Sequence, residues 1–79
     1  MGSYRIIVQP SAERELYAVP FSFRRQLNIQ FNKLKDDPAP SGSEVVDGEL
    51  MRLRLHGWRV LYEVDEEAGV VTILAVSRG

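Results

Sequence analysis

The stretch LMRLRLHGWRVLYEV, residues 50–64, alternates apolar and basic residues on both sides of a His-Gly dipeptide. Successive side chains of a β-strand point to opposite faces of the sheet, and a two-residue connection that includes glycine suits a tight hairpin. The pattern therefore predicts two antiparallel strands, residues 49–55 and 58–64, joined at His56 and Gly57. This hairpin decides the fold class and the search for a functional site.

Pairing that is symmetric about His56 and Gly57 sorts the side chains of the hairpin onto two faces. It sets Leu53 opposite Val60 and Arg54 opposite Arg59, since directly opposed residues of an antiparallel pair share one face. The apolar face, expected to pack in the core, carries Met51, Leu53, Leu55, Trp58, Val60 and Tyr62. The other face carries Arg52, Arg54 and Arg59.

The basic face needs a physical reason, because like charges directly opposite each other in a sheet are destabilising. Glu63 lies diagonal to Arg52 and offsets part of the repulsion, but no acidic residue of the hairpin lies opposite Arg54 or Arg59. One interpretation is an anion, since the planar guanidinium group suits phosphate. The other is that the arginines keep the strand soluble and prevent edge-to-edge pairing. The spacing alone leaves both open.

The first half of the chain predicts one strand and two helices. Residues 4–9 are rich in β-branched and aromatic side chains and precede a proline, as a strand does. Apolar residues at helical spacing indicate a short helix over residues 11–18, with Ser11 as its N-cap. A second amphipathic helix of about 16 residues starts at Pro20, a residue that favours the first turn.

The second half predicts a loop and a three-stranded meander. Residues 36–48 are rich in proline, glycine and serine and indicate a surface loop. The two hairpin strands and a third at 70–77 follow it. The expected fold is therefore α+β: an N-terminal strand, a helical hairpin, then a three-stranded antiparallel meander, with the helices packed on one face of a four-stranded sheet.

Composition restricts the function classes. Seventy-nine residues suit one domain, 1–79, with 44% hydrophobic and 27% charged residues. Without cysteine and with a single histidine, no zinc site or other metal centre is expected, and no motif indicates a cofactor. No apolar run reaches the roughly 18–20 residues that span a bilayer, so a cytoplasmic protein with no membrane partner is expected. A net charge of −1 argues against strong nonspecific nucleic-acid binding.

Four segments together resemble the RelE/ParE superfamily of bacterial toxins over about residues 4–78. They are VQPSAERELYAVP, DDPAPSGSEVVDGELMRLRL, GWRVLYEVD and VVTILAVS. The resemblance implies a RelE-like toxin of a type II toxin-antitoxin system. Such a toxin is a ribosome-dependent, metal-independent mRNA endoribonuclease that uses no cofactor and is neutralised by a cognate antitoxin. The implied partners are this antitoxin, the ribosome and mRNA.

The resemblance also implies catalytic residues. Arg59 matches the arginine that contacts the scissile phosphate, and Arg52 and Arg54 match positions that are commonly basic in RelE-like enzymes. RelE-like enzymes usually continue after the last strand with a basic pair and a tyrosine. In the family, an arginine of this basic pair can serve as the general acid. This sequence has Ser77, Arg78 and Gly79 there, which makes Arg78 the one candidate for the general acid and leaves the tyrosine unmatched.

Two other functions are compatible with the same resemblance. One is a ParE-like protein that inhibits DNA gyrase without nuclease chemistry. The other is a catalytically degenerate or truncated family member that only binds its antitoxin. The unmatched tyrosine favours these two, while the basic strand face favours the endoribonuclease.

Overall fold

A computed structural model describes residues 3–79 as a five-stranded sheet with two helices. The elements are β1 (Arg5–Val8), α1 (Pro10–Tyr17), α2 (Phe21–Lys33), β2 (Ser43–Asp47), β3 (Leu50–Leu55), β4 (Trp58–Asp65) and β5 (Val70–Arg78). The strand order is β1-β5-β4-β3-β2, with β1 parallel to β5 and the other neighbours antiparallel. The α+β class, the helical hairpin and the meander β3-β4-β5 are confirmed.

The strand count differs from the prediction, because β2 lies inside the segment expected to be a loop. Its residues pair with β3, for example Ser43 with Leu53 and Val45 with Met51. The five-residue run SEVVD contains two β-branched valines, but prolines and glycines surround it and β2 forms an exposed edge. It therefore lacks the alternation of buried and exposed residues by which a strand is recognised in a sequence.

The start of α1 also differs from the prediction. The helix begins at Pro10, its N-cap is Gln9, and Ser11 lies inside the first turn rather than at the cap. The fixed φ of proline and its missing N–H suit the first helical position, so the helix starts one residue earlier. The second helix follows Pro20 and spans 13 residues, somewhat fewer than expected.

Both helices contribute to one core on a single face of the sheet. The predicted inward residues Met51, Leu53, Val60 and Tyr62 are buried, and Leu55 and Trp58 pack partly buried against them. The helical hairpin adds Ala12, Leu16, Val19, Leu27, Phe31 and Leu34. Since all these side chains form one cluster, the opposite face of β3 and β4, which carries the arginines, is not covered by a helix.

The last part of β5 is attached to α1. β1 pairs with β5 only as far as Val8 and Ile73, which leaves the next backbone groups of β5 without a neighbouring strand on that side. A carboxylate oxygen of Glu15 accepts a hydrogen bond from the backbone N–H of Val76 at 2.8 Å. This bond holds the end of β5 in place beside β4.

No helix within residues 3–79 has the length and apolar character that crossing a bilayer requires.

Tyr62 connects the core to the long segment between α2 and β2. Its side chain is 0% exposed, and its hydroxyl donates a hydrogen bond to the carbonyl oxygen of Pro38 at 2.7 Å. Burial raises the pKa of Tyr62 above its ordinary value, so the phenol keeps the proton that it donates. The segment that leads into β2 is therefore fixed from the core.

Replacing Tyr62 with phenylalanine is expected to destabilise the protein. The Tyr62→Phe variant leaves the carbonyl of Pro38 without this donor, at a cost of about 1 kcal/mol. Its thermal midpoint should fall by roughly 4–8 °C, measured by circular dichroism. Tyr17→Phe is the matched control, because the side chain of Tyr17 is 67% exposed. Equal midpoints for the two variants would contradict the assigned role of the hydrogen bond.

Candidate functional site

The arginines are positioned by the β3-β4 hairpin, whose register agrees with the prediction. Leu53 pairs with Val60, and Arg54 pairs with Arg59. The two turn residues both adopt positive φ, 52° at His56 and 83° at Gly57. Positive φ at both central residues defines the type I′ turn, whose twist matches that of the flanking strands. The turn and the buried apolar face thus fix the same register.

Arg54 and Arg59, here called the arginine pair, lie directly opposite each other on the uncovered face. Cβ atoms of opposed residues lie about 4.5–5.5 Å apart, close enough for the two positive charges to repel. Arg54 is exposed and Arg59 is half-buried. Within residues 3–79 the only ion pair is formed by another arginine, so neither member of the arginine pair has a carboxylate partner there.

Arg52 is neutralised by Glu44 of β2, which lies opposite it in the sheet. Nε of Arg52 lies 2.9 Å from Oε2 of Glu44, and Nη2 contacts the same oxygen. The hydrogen bond from Arg52, with its charge, lowers the pKa of the Glu44 carboxyl below its ordinary value. The carboxylate therefore stays ionised at neutral pH and remains paired with the guanidinium group of Arg52. The sequence had suggested Glu63 as the nearby acid, because the segment that contains Glu44 was expected to be a loop.

The side chain of Arg59 is held close to the end of β5. Its Nη2 lies 3.5 Å from the carbonyl oxygen of Arg78, a long contact. Its Nε is buried and has no hydrogen-bond partner among the described residues. A buried N–H without an acceptor costs free energy.

The arginine pair borders a pocket of about 420 Å³, here called the hairpin-tip pocket. Its lining consists of Arg54, Leu55, His56, Gly57, Trp58, Arg59 and Gly79. Pockets of about 300–1,000 Å³ accommodate small ligands, so a phosphate group with part of a nucleotide fits here by size. Residues 3–79 contain no group of three or more acidic or histidine side chains arranged to hold a metal ion.

Arg78 does not join the arginine pair through its side chain. It lies opposite Trp58 in the sheet, and its guanidinium carbon lies 5.3 Å from the centre of the indole ring, within the range of a cation–π contact. Trp58 belongs to the face that packs on the helices, whereas Ser77 is the residue opposite Arg59. Only the carbonyl of Arg78 therefore approaches the pair.

A second hollow, here called the helix groove, has a volume of about 640 Å³ and is bordered by both helices. The guanidinium carbon of Arg24 lies 5.4 Å from the ring centre of Tyr17 and 5.6 Å from that of Phe21. Tyr17 and Phe21 are 67% and 70% exposed. Exposed aromatic and arginine side chains are typical of protein-binding surfaces.

Comparison with protein families identifies the chain. Residues 6–79 match the family model described as ParE toxin of type II toxin-antitoxin system, parDE. The chain belongs to the ParE toxin family. The resemblance to the RelE/ParE superfamily is thereby confirmed, and this ParE-family protein is a toxin of a toxin-antitoxin system. A comparison with curated proteins gave no match.

Solved structures of RelE toxins share the fold of this ParE-family protein. The toxin-antitoxin complex RelBE2 from Mycobacterium tuberculosis is similar at 22% identity and a TM-score of 0.83, covering 98% of this chain and 99% of that one. The archaeal RelE-RelB complex from Pyrococcus horikoshii OT3 is similar at 24% identity and a TM-score of 0.84, covering 96% of this chain and 94% of that one. The intact E. coli RelBE toxin-antitoxin complex is similar at 20% identity and a TM-score of 0.85, covering 98% of each chain. At these identities the likeness establishes the fold.

Removing one member of the arginine pair is expected to stabilise the free toxin. The Arg54→Ala variant relieves the repulsion between opposed charges, worth about 0.2–1 kcal/mol. The free energy of unfolding, measured by urea denaturation at low salt, should rise by that amount. The Arg52→Ala control should show no such gain, because it breaks the pair with Glu44. A clear loss of stability in Arg54→Ala would mean that Arg54 has a structural role.

Proposed function

We propose that this ParE-family toxin is a ribosome-dependent mRNA endoribonuclease whose arginine pair binds the scissile phosphate. The observation that carries the proposal is the juxtaposition of Arg54 and Arg59 on the uncovered sheet face beside the hairpin-tip pocket, with no ion-pair partner for either within residues 3–79. The net charge of −1 provides little general attraction for RNA, so binding depends on this local charge. Rigid strands carry both arginines, so their backbone positions are set more precisely than a loop would set them.

The proposed chemistry is attack of a ribose 2′-oxygen on the adjacent phosphorus, with cleavage of the bond to the 5′-oxygen. The 2′-hydroxyl gives its proton to water, and the leaving 5′-oxygen takes up a proton from water. Negative charge builds up on the non-bridging oxygens along this path, and cations already in place lower the barrier. Arg59 is assigned the contact with the phosphate, and Arg54 supplies the second charge. The guanidinium group is always charged in proteins, so arginine does not act as a general base here. The proposed mechanism thus uses electrostatic stabilisation without a metal or cofactor.

Two of the arginines first considered have lesser parts in this proposal. Arg52 is already paired with Glu44 and is not assigned a contact with the scissile phosphate. Arg78 contributes its backbone carbonyl beside Arg59, while its guanidinium remains on Trp58. The catalytic group proposed here is therefore the arginine pair.

We further propose that a cognate antitoxin neutralises the toxin, as a protein partner separate from the ribosome and mRNA. The similar M. tuberculosis and P. horikoshii structures are toxin-antitoxin complexes. The exposed aromatic residues of the helix groove give this chain a surface suited to a protein ligand. A ribosomal target would place the active toxin in the cytoplasm.

Inhibition of DNA gyrase is the second candidate function. The match to a model named for ParE favours it, and so does the pairing of Arg52, which reduces the free basic cluster from three arginines to two. In that case the uncovered face would bind a protein rather than RNA, and no RNA would be cut. A family member that only binds its antitoxin would show neither activity.

Arg59→Ala should abolish mRNA cleavage in a purified translation reaction. Loss of one preorganised charge at a transition state typically lowers the rate by about 10²–10³-fold. Cleavage sites are mapped by primer extension on the ribosome-bound message. Arg14→Ala is the matched control, since Arg14 is an exposed arginine of α1 that does not line the hairpin-tip pocket. It should cut like the unaltered protein.

The alternatives give different results in paired assays. Intact mRNA together with inhibited gyrase supercoiling would replace the proposal with the gyrase function. Intact mRNA and unaffected gyrase would indicate a protein that only binds its antitoxin. Cleavage that persists in Arg59→Ala would contradict the role assigned to the arginine pair.

A further inference from the structure

We propose that Gly79 is a positioning residue for Arg59: its missing side chain lets the backbone after β5 close over the arginine and hold it beside the hairpin-tip pocket. This inference rests on the proposed function, because it takes Arg59 as the phosphate-binding residue. It assigns a role in the site to a position that carries no charge and no side-chain chemistry.

The backbone of Gly79 is fixed against the hairpin turn. Its N–H donates a hydrogen bond to the carbonyl oxygen of Gly57 at 2.8 Å. That bond continues the β4-β5 ladder one step beyond the pair formed by Trp58 and Arg78. Both Gly79, which directly follows β5, and Arg59 of β4 line the hairpin-tip pocket.

The space between Gly79 and Arg59 is too tight for a side chain unless a neighbouring group shifts by a few tenths of an ångström. A Cβ atom at position 79 would lie 3.1 Å from Cγ of Arg59 and 3.5 Å from its Nε. It would also lie 3.3 Å from the carbonyl oxygen of Gly57. The first of these distances is shorter than the optimal separation of non-bonded carbon atoms, about 3.5–4.0 Å. Even a methyl group would therefore displace either the arginine stem or the backbone that covers it.

Coverage by this backbone explains the state of Arg59. Its Nε is buried and lacks a partner within residues 3–79, and its Nη2 lies 3.5 Å from the carbonyl of Arg78. Backbone on one side of the side chain reduces the rotamers that it can adopt. An unrestrained arginine loses considerable rotamer entropy when it binds a ligand. Arg59 is already restrained in the free protein, so the entropy that it loses on binding phosphate is smaller.

The test compares the Gly79→Ala variant with the unaltered protein, using a six-nucleotide oligouridylate as the probe. The dissociation constant is measured by fluorescence anisotropy, and the Nε–H resonance of Arg59 is followed by ¹⁵N NMR. We expect binding to weaken by about threefold to tenfold, since small misplacements of a charged contact are costly. The Nε–H resonance should shift in the free protein, while the thermal midpoint changes little.

Gly48→Ala is the matched control. A Cβ atom at Gly48 meets no atom within 4 Å, but the φ of 56° there is unfavourable for alanine. This variant should lower the thermal midpoint by several degrees and leave oligouridylate binding unchanged. The two glycine substitutions therefore separate an effect on the site from an effect on the fold.

The Arg59→Ala variant and the Arg59→Ala, Gly79→Ala double variant distinguish failure of this inference from failure of the proposed function. In the Arg59→Ala background, Gly79→Ala should have no further effect on binding. The positioning role would be overturned if Gly79→Ala weakened oligouridylate binding equally in both backgrounds. It would also be overturned if Gly79→Ala alone left binding unchanged while Arg59→Ala bound weakly. Either result would leave the phosphate site in place. Unchanged binding by Arg59→Ala would overturn both.

Discussion

The pairing of Arg54 with Arg59 across the β3-β4 hairpin is the constraint on which the account of this toxin depends. A slip of one residue would separate these charges, but it would also turn the apolar side chains of one strand, such as Val60 and Tyr62, towards solvent. Burying one large apolar side chain is worth about 1.5–3 kcal/mol, whereas a cross-strand charge pair is worth about 0.2–1 kcal/mol. Core packing therefore dominates, and the arginines remain opposed on the uncovered face.

The elements around the hairpin determine how much of its charge stays available. β2 brings Glu44 to Arg52 and occupies one arginine, while the end of β5 covers the side chain of Arg59 and directs the side chain of Arg78 to Trp58. The result is a site of two cations beside a pocket of about 420 Å³, on a protein with a net charge of −1. In a ParE-family toxin, such a site suits a single phosphate contact better than broad electrostatic attraction to RNA.

The sequence predicted those parts of the structure that depend on strong local patterns. The hairpin register, the buried side of β3 and β4, and the burial of Leu27, Phe31 and the C-cap Leu34 of α2 all followed from periodicity. Phe23, which belongs to the same predicted stripe, is 38% exposed. Two features could not be predicted in this way. β2 is an exposed edge strand without a burial pattern, and its absence from the prediction hid the contact between Glu44 and Arg52. The importance of Gly79 depends on a tertiary contact with Arg59, which no sequence spacing indicates.

The central claim is that the arginine pair is the uncompensated cation site of the free toxin. The most direct measurement is the thermal midpoint as a function of pyrophosphate concentration, with sodium chloride at matched ionic strength to remove general salt effects. An anion that binds only the folded state raises the midpoint progressively above its dissociation constant. The account predicts this rise for the unaltered protein and for Arg52→Ala, and its loss in Arg54→Ala. Equal rises in all three proteins, or a loss confined to Arg52→Ala, would contradict it.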